Sequence, residues 1–466
     1  MKTCFPKFNW LSILCIISVL SYQMVFSQGN QFNYDYSQTL VMKLFLSAPD
    51  NQGGTNVYCD LDNTLDLIKQ ADNLTLNVPK IIYLVGWQYK GHDDLYPAFF
   101  EVNPALKRPV DQDARESLLW LINEAKKYHT AVSLHINMTD AYDNSPLWKE
   151  YIDNDMISKN TDGSLMVIGN YNGRKAYQIN YRNEWENGYA QMRIDKLLAL
   201  LPPLRESGTI HIDAWIAREN KGEYETNVLE AECQKKVCIY WRSRGIDVTS
   251  EWVMDYMTGM VPFYWHFNNR TQSDYLKIPA TICTGAHMNP DLKKSDFGLE
   301  FLFGTSMYGE NIFPNSRNKI PEEKWDSLFS REFYLNFVQY YYLNRLKRLR
   351  VEGEGMGRIT YFSDNVKVSL SDSTVFENDH QFRRGNTLCF PSLWRKDNSL
   401  VSYSEKGSDL LFFLPENWKS ALKAEVFMIT KGGLIKKNEI EIRNNQIKLE
   451  LLAGQPVLII PVKSRI

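Results

Sequence analysis

Residues 210–215 read Ile-His-Ile-Asp-Ala-Trp, and residues 245–252 read Gly-Ile-Asp-Val-Thr-Ser-Glu-Trp. Each stretch has the apolar and β-branched composition of a short strand, and each ends in a carboxylate that a tryptophan closely follows. The carboxylates are Asp213 and Glu251. The two stretches predict successive strands that carry an acidic side chain at their carboxyl ends.

Side chains alternate between the two faces of a strand, so the spacing assigns each residue to a face. In the first strand Ile210 and Ile212 share one face, and Asp213 lies on the other together with His211. The second strand repeats the pattern, with Glu251 on its polar face. The apolar faces are expected to pack against helices, and the polar faces to look into an enclosed space.

Strands and helices alternate over the first two thirds of the chain, which is typical of parallel β/α units. The fold class predicted is α/β, a (β/α)8 TIM-type barrel followed by a C-terminal β-sandwich. Predicted strands cover 40–46, 80–87, 131–137, 210–213, 246–251, 263–267, 281–285 and 300–305. Predicted helices cover 61–71, 111–128 (capped by Asp111), 184–201, 223–244 and 323–348. A polar stretch at 144–175 is predicted to be an active-site loop.

From Gly357 onward the periodicity of apolar residues changes from that of helices to that of strands. Short alternating strands are predicted at 358–362, 366–370, 410–414, 425–430, 448–452 and 456–461, and together they indicate a β-sandwich. The chain is therefore divided into a signal peptide (1–27), a catalytic barrel (28–350) and a sandwich domain (351–466).

The N-terminus has the pattern of a secretory signal peptide. Lys2 and Lys7 precede an apolar run at 10–25, and Ser27 ends a plausible cleavage site. The apolar run is short for a stable membrane span. The protein is expected to be secreted, periplasmic or at the cell surface.

The composition of the chain bears on its possible partners and on the state of its cysteines. The chain has 466 residues and a net charge of −2, so it shows no electrostatic footprint for nucleic acid. Five cysteines remain after the signal, an odd number at scattered positions, and buried free thiols are expected rather than a disulfide scaffold. The sequence contains no motif for a cofactor or a metal, and neither is expected.

Asp213 and Glu251 are the predicted catalytic residues. Retaining glycosidases use two carboxyl groups about 5–5.5 Å apart, one as nucleophile and one as acid and base. Neighbouring strands of a barrel are about 4.8 Å apart, so carboxylates at adjacent strand ends can meet that separation. The alternative is that both are ordinary polar residues at strand ends.

Several residues near the predicted strand ends are candidates for binding sugar. An adjacent His and Asp can hold two neighbouring hydroxyls, an aromatic ring can stack on the apolar face of a pyranose, and polar residues on the inner strand face can reach the substrate. His211 is interpreted instead as a core residue that orients Asp213. The alternatives are a loop turn fixed by Gly91 and Asp93, a hydrogen-bonded core residue for His135, and core packing for the aromatic run at 262–266. With a carbohydrate as the expected partner, the substrate-binding candidates are Trp87, His92, Asp93, His135, Asn137, Trp215, Trp252 and Trp265.

Four short motifs resemble the endo-α-N-acetylgalactosaminidases of glycoside hydrolase family 101. They are Gly-His-Asp at 91–93, Leu-His-Ile-Asn-Met-Thr-Asp-Ala-Tyr at 134–142, Ile-Asp-Ala-Trp at 212–215 and Thr-Ser-Glu-Trp at 249–252. The resemblance implies a retaining enzyme that acts on α-linked N-acetylgalactosamine of mucin-type O-glycans. It also implies that Asp213 is the nucleophile, Glu251 the acid and base, and His92 with Asp93 the substrate-holding pair.

Two other functions are compatible with the same residues. Family members are usually larger, with additional domains, so an exo-acting α-N-acetylgalactosaminidase or an α-galactosidase is an alternative. A non-catalytic glycan-binding protein that keeps a barrel fold is a second one, although a binder has no need for both carboxylates.

Overall fold

The structure is a computed structural model that describes residues 31–50, 52–287, 297–314 and 317–463. The predicted signal peptide lies outside these residues. None of the described helices is both long and apolar enough to cross a bilayer.

The described residues of the first part of the chain form twelve strands, of which seven make one parallel sheet in the order β1-β4-β5-β9-β10-β11-β12. The others form small antiparallel sheets, β2 with β3 and β6-β8-β7. The strands are β1 (Leu40–Phe45), β2 (Ser47–Pro49), β3 (Thr55–Val57), β4 (Lys80–Val85), β5 (Thr130–Asn137), β6 (Asp140–Ala141), β7 (Val167–Tyr171), β8 (Arg174–Gln178), β9 (Thr209–Asp213), β10 (Asp247–Trp252), β11 (Phe263–His266) and β12 (Thr284–Gly285).

Helices connect the strands of the parallel sheet. The α-helices are Leu61–Leu74, Ala114–Ala125, Trp148–Asp153, Tyr181–Glu186, Tyr189–Leu200, Leu204–Ser207, Asn227–Ser243, Gln272–Lys277, Leu299–Phe303, Trp325–Glu332 and Val338–Asn344, with a π-helical turn at Phe333–Phe337. Short 3-10 turns occupy Tyr36–Gln38, Pro104–Leu106, Lys126–Tyr128, Lys221–Glu223, Asp255–Met257, Gly355–Gly357 and Glu416–Trp418.

Strand order follows chain order throughout the parallel sheet, as it does in a barrel. A parallel bridge between Ala286 and Ser306 extends the sheet by one further strand position. Within the described residues, no strand ladder joins that end of the sheet back to β1. The α/β barrel-like fold is therefore confirmed, whereas a closed eight-stranded barrel is not.

Side-chain alternation separates two apolar regions. The larger core lies between the sheet and the helices, and includes Ile210, Ile212 and Val248 as the strand pattern predicts. A smaller cluster lies on the opposite, inner face of the sheet. Its members come from both ends of the sheet and from residues 31–38 before β1, called the lead-in segment. They are Phe32, Tyr36, Val41, Ile81, Tyr83, Phe263, Trp265 and Ala286.

The lead-in segment closes the amino-terminal end of this inner space. The Tyr36 hydroxyl lies 2.8 Å from Thr209 Oγ1, at the start of β9. The Asn33 amide donates to Asp247 Oδ2 at 2.7 Å, at the start of β10. The ring of Phe32 is buried beside Tyr36. Residues 31–38 thus fill the end of the sheet that lies opposite the predicted site.

From Arg348 onward the chain is antiparallel. Ten strands form one sheet in the order β13-β14-β15-β16-β17-β18-β19-β24-β21-β22, and β20 pairs with β23 in a second, two-stranded sheet. The strands are β13 (Arg348–Glu352), β14 (Ile359–Phe362), β15 (Val366–Ser369), β16 (Thr374–Glu377), β17 (His380–Arg384), β18 (Thr387–Pro391), β19 (Leu400–Ser404), β20 (Ser408–Phe413), β21 (Ala421–Thr430), β22 (Gly433–Glu441), β23 (Gln446–Leu451) and β24 (Val457–Lys463).

Several sequence-based assignments are wrong in detail. Residues 300–305, predicted as a strand, lie largely in the helix Leu299–Phe303. The predicted helix 184–201 is two helices, because Gly188 adopts a left-handed φ of 78° between them. The helix predicted from Asp111 begins at Ala114, and its N-cap is Asp113, whose carboxylate accepts from the Glu116 amide.

Candidate active site

Asp213 and Glu251 occupy equivalent positions on neighbouring parallel strands. Ser250 pairs with Ile212, and each carboxylate is the next residue along its strand. Glu251 Oε2 accepts a hydrogen bond of 3.3 Å from the amide of Ala214, the residue after Asp213. Their side chains are 14% and 15% exposed, so both can be reached from solvent. The two acidic residues therefore face the same end of the inner space.

His135 lies beside Asp213, and its Nε2 is 3.1 Å from Asp213 Oδ2. The positions follow from the register, in which Asn137 pairs with Asp213 and His135 with His211. Burial, with Lys43 nearby, lowers the pKa of His135 to about 3. A neutral imidazole therefore accompanies the carboxylate at neutral pH.

His211 is a buried core residue directly below the site, as the sequence predicts. Its Nδ1 lies 2.9 Å from Thr249 Oγ1, and its ring is flanked by those of His135 and Tyr83. Burial holds the pKa of His211 well below its usual range, so this ring is also neutral. Its role is to fill and align the layer beneath Asp213.

Lys43 is a site residue that the sequence reasoning missed. Its Nζ forms an ion pair of 2.9 Å with Glu251 Oε1 and lies 4.8 Å from the centre of the Trp265 ring. Only 1% of its side chain is exposed. The signal was present in the sequence, because Lys43 is the single charge in an apolar strand. A buried lysine of this kind is rare without a partner.

The loop after β4 brings His92 and Asp93 to the same place. His92 Nε2 lies 3.3 Å from Asp93 Oδ2, and its ring packs edge-on against that of His135 with centroids 5.3 Å apart. Burial, together with His135, lowers the pKa of His92 to about 4 despite the opposing charge of Asp213. Burial also raises the pKa of Asp93 to about 7, against the nearby Arg317.

Asn137 is a structural support rather than the predicted substrate contact. It is fully buried, and its Nδ2 donates to Asp140 Oδ2 at 3.0 Å. Its Oδ1 accepts from the amides of Thr139 and Asp140 at 2.7 and 2.9 Å. Burial, followed by the charges of Asp93 and Asp213, raises the pKa of Asp140 to about 8. Because these bonds occupy both ends of its amide, Asn137 orients the turn after β5.

The four candidate tryptophans differ in exposure. Trp252 is 39% exposed and stacks on His266 with ring centroids 4.2 Å apart, so it presents a free aromatic face beside Glu251. The predicted sugar contacts of Trp87, Trp215 and Trp265 are wrong, because at most 1% of each residue is exposed. Trp87 donates its indole N–H to the His135 carbonyl and belongs to the core. Aromatic residues near strand ends pack inward here because the apolar gain from burial is large.

The described cysteines, all five of the predicted mature ones, are buried and unpaired, which confirms the expectation of free thiols. Burial raises the pKa of the Cys59 and Cys283 thiols to about 11 and that of Cys238 to about 12. Thiols of this kind are inert, so none is a candidate nucleophile.

Comparison with known proteins finds one family model and a set of solved structures that resemble this chain. Residues 54–279 match the family model described as endo-α-N-acetylgalactosaminidase, glycoside hydrolase family 101. The resemblance to family 101 is confirmed over this segment. It contains every predicted catalytic and substrate-binding residue, whereas Lys43 precedes it. The match covers just under half of the chain. No curated protein sequence matches the chain.

Solved structures with the same fold include the α-N-acetylgalactosaminidase NagBb from Bifidobacterium bifidum. Its complex with GalNAc superposes with a TM-score of 0.54 at 11% identity, covering 73% of this chain and 58% of that one. The ligand-free form gives 0.53 at 12% identity, covering the same shares. The family 101-like chain therefore spans less than two thirds of these structures. At this identity the likeness shows the fold alone.

Proposed function

We propose that this protein is a secreted retaining α-glycosidase that cleaves α-linked N-acetylgalactosamine from mucin-type O-glycans. The observation that carries the proposal is the matched placement of Asp213 and Glu251. They follow a paired position on adjacent parallel strands, and both face the inner space. Adjacent strands about 4.8 Å apart hold equivalent side chains near the separation of about 5–5.5 Å that double displacement uses.

In this mechanism Asp213 attacks the anomeric carbon, and the glycosidic oxygen leaves with a proton from Glu251. The product of this step is a β-linked glycosyl-enzyme. Glu251, now a carboxylate, removes a proton from water, and the water oxygen attacks the anomeric carbon and releases Asp213. Retention of the α-configuration follows from the two inversions.

The surrounding residues fit defined parts of this cycle. His135, neutral and 3.1 Å from Asp213 Oδ2, can orient the nucleophile without neutralising its charge. His92 and Asp93 form a polar pair suited to two neighbouring sugar hydroxyls. Trp252 offers the one exposed tryptophan face among the candidates, next to the residue that protonates the leaving group. It is suited to stack on the aglycone side.

Two variants test the roles of the carboxyl groups. Asp213→Asn is expected to abolish turnover of an α-GalNAc aryl glycoside while leaving the fold intact, and unchanged hydrolysis would remove the proposal. Glu251→Gln is expected to lose most activity on natural glycans but to keep more on substrates with activated leaving groups, which need little protonation. Equal losses on both substrates would contradict the acid role.

Endo and exo action are separated by the products released from O-glycosylated mucin. A disaccharide seen by mass analysis supports the endo-acting enzyme, whereas free N-acetylgalactosamine or galactose supports the exo-acting alternative. Glycan binding by the wild-type chain without any product, over a broad panel of α-glycosides, would favour a binding protein.

A further inference from the structure

His92, His135 and Asp213 form a compact cluster of donor atoms where three parallel strands end. A ring nitrogen of each histidine and a carboxylate oxygen of Asp213 lie within 4.8 Å of one another. Two imidazoles and one carboxylate are a donor set that zinc sites use. We propose that this cluster is a binding site for Zn²⁺, and that the bound ion reversibly blocks the site.

The buried histidine of the cluster has donor capacity that the protein leaves unused. His135 is 4% exposed, and within the described part of the chain neither ring nitrogen makes a hydrogen bond. Its Nε2 is close to Asp213 Oδ2 but lacks the alignment of a hydrogen bond. His92 Nδ1 is likewise buried without a partner. Unsatisfied buried nitrogens are costly, and a metal ion would satisfy them.

Binding of Zn²⁺ requires only small shifts of the donor atoms. Tetrahedral Zn²⁺ with bonds of about 2.0–2.1 Å has donor atoms separated by roughly 3.4 Å. His135 Nε2 and Asp213 Oδ2 are already 3.1 Å apart. His92 lies on a loop and can close the remaining distance. Asp93, 3.3 Å from His92 Nε2, is placed to orient that ring, as carboxylates commonly do for metal-bound histidines.

The charges around the cluster also favour a cation. The positive charge of Lys43 would repel a bound cation, but Lys43 Nζ forms an ion pair of 2.9 Å with Glu251, which largely compensates that charge. The positive charge of Arg317 interacts with the carboxyl group of Asp93, the residue next to His92. Among the described residues Asp213 has no lysine or arginine within ion-pair distance, and the ring nitrogen near it belongs to His135. Its carboxylate is thus available to bind the ion.

Inhibition follows if Asp213 is the nucleophile, and this part of the inference rests on the proposed function. A carboxylate oxygen that donates its electron pair to Zn²⁺ cannot attack an anomeric carbon. The ion would also occupy the space beside His92 where a sugar hydroxyl would bind. Zn²⁺ and N-acetylgalactosamine should therefore compete.

The test is calorimetric titration of ZnCl₂ into the full mature chain after chelation and desalting, repeated with Co²⁺ to observe the visible absorption of a tetrahedral site. One equivalent is expected to bind to the wild type. His92→Gln and His135→Gln should weaken binding by at least about tenfold, the loss seen even for indirect partners of metal ligands. Circular dichroism checks folding, and His92, on a loop, is the variant less prone to misfold.

His129→Gln is the matched control, because His129 also lies 3.1 Å from an aspartate, Asp72, but at the surface and without a second histidine. It should bind Zn²⁺ as the wild type does. Absence of binding to the wild type, or unchanged binding to folded His92→Gln, overturns the proposal. Zinc binding that needs His92 in a chain without hydrolase activity supports the metal site and counts against the proposed function. Hydrolysis by a chain that binds no zinc supports the proposed function and counts against the metal site.

Discussion

At the scale of single residues, the Lys43–Glu251 ion pair is the contact that most directly controls the proposed acid and base. The pair is 2.9 Å long, and Lys43 is buried. We expect Lys43→Met to lower kcat/KM for an α-GalNAc aryl glycoside by roughly tenfold to a hundredfold, the usual effect of losing an orienting partner. If Lys43 acts through Glu251, adding the substitution to Glu251→Gln should cost little more. Fully additive losses would show that it acts elsewhere.

Asp140 gives the site a measurable dependence of stability on pH. Its pKa is raised from 3.8 to about 8, chiefly by burial. The folded state therefore holds a proton that the unfolded state has lost, so this contribution is full at low pH and disappears as pH rises through about 8. Asp140→Asn cannot titrate, and it should reduce the fall in stability between about pH 6 and about pH 8.

Urea unfolding at a series of pH values measures this effect. The control is Asp143→Asn, three residues along the same loop, whose side chain is 59% exposed. The difference between Asp140→Asn and wild type cancels the contributions of the other titrating groups. Parallel stability curves for these two proteins would refute the assignment to Asp140.

How far the site could be predicted depends on which property of a residue decides its position. Strand parity is a local property, and it placed Asp213, Glu251 and His211 on the inner face correctly. Exposure is decided by distant segments, so the sequence predicts a sugar contact for Trp87 although 0% of this residue is exposed. The Lys43 pairing joins residues 208 positions apart and has no local signature beyond one charge in an apolar strand.

At the scale of elements, the loop after β4 begins at Gly86, a position where a side chain would collide with Ser47. Gly86 has a φ of 77°, and a Cβ there would lie 1.9 Å from the Ser47 carbonyl oxygen and 3.0 Å from the His92 amide nitrogen. Gly86→Ala should therefore destabilise the protein by about 3 kcal/mol or more, since it adds a severe contact to the cost of a left-handed residue. It should also displace His92 and lower activity.

Gly163→Ala is the control for backbone strain alone. Gly163 has a φ of 83°, and a Cβ there meets nothing within 4 Å. Its cost should be about 1–2 kcal/mol, with activity retained. Thermal unfolding of both variants measures the difference, and equal losses would mean that the contact with Ser47 is relieved easily.

Helices and strands could be predicted where the periodicity of apolar residues is clear over a long segment. The strands at 80–87 and 131–137 and the helix at 61–71 were found within a few residues. Residues 300–305 failed because a short apolar run fits a buried helix as well as a strand, and only tertiary packing decides. The prediction of a loop at 144–175 does not include the helix Trp148–Asp153 and strand β7, because each is only five or six residues long and too short for a clear apolar periodicity.

At the scale of the whole molecule, Arg383 of the antiparallel sheet ties that sheet to the helical layer of the first part. Its Nη1 donates to the Leu335 carbonyl at 2.6 Å and to Gln339 Oε1 at 2.8 Å. Burial lowers the pKa of Arg383 to about 10, so it remains charged at neutral pH. Arg383→Met should destabilise the protein by about 3 kcal/mol, through lost charge-assisted bonds and unsatisfied buried acceptors.

Arg384→Met, at the exposed neighbouring position of the same strand, should change stability by no more than about 0.5 kcal/mol. Thermal unfolding followed by circular dichroism compares the two variants. Equal stability of Arg383→Met and wild type would show that these bonds contribute nothing to joining the two parts.

The overall architecture was predictable in outline because alternating β/α units and a later change of period are both visible along the chain. The division at residues 350 and 351 stays a prediction. The form of the second part was harder, since strands β16 to β19 were not predicted and their pairing into one ten-stranded sheet is set by long-range contacts. Closure of a barrel is likewise a property of the assembled sheet rather than of any segment.

The packing of residues 31–38 at one end of the sheet has a consequence for how a substrate would enter the inner space and how a product would leave it. Phe32 and Tyr36 fill the amino-terminal end of the inner space, so in the proposed enzyme a glycan would enter, and the released sugar would leave, at the end where the strands finish. Under the proposed function, released sugar would compete with the next glycan for this shared opening, and product inhibition is the expected consequence.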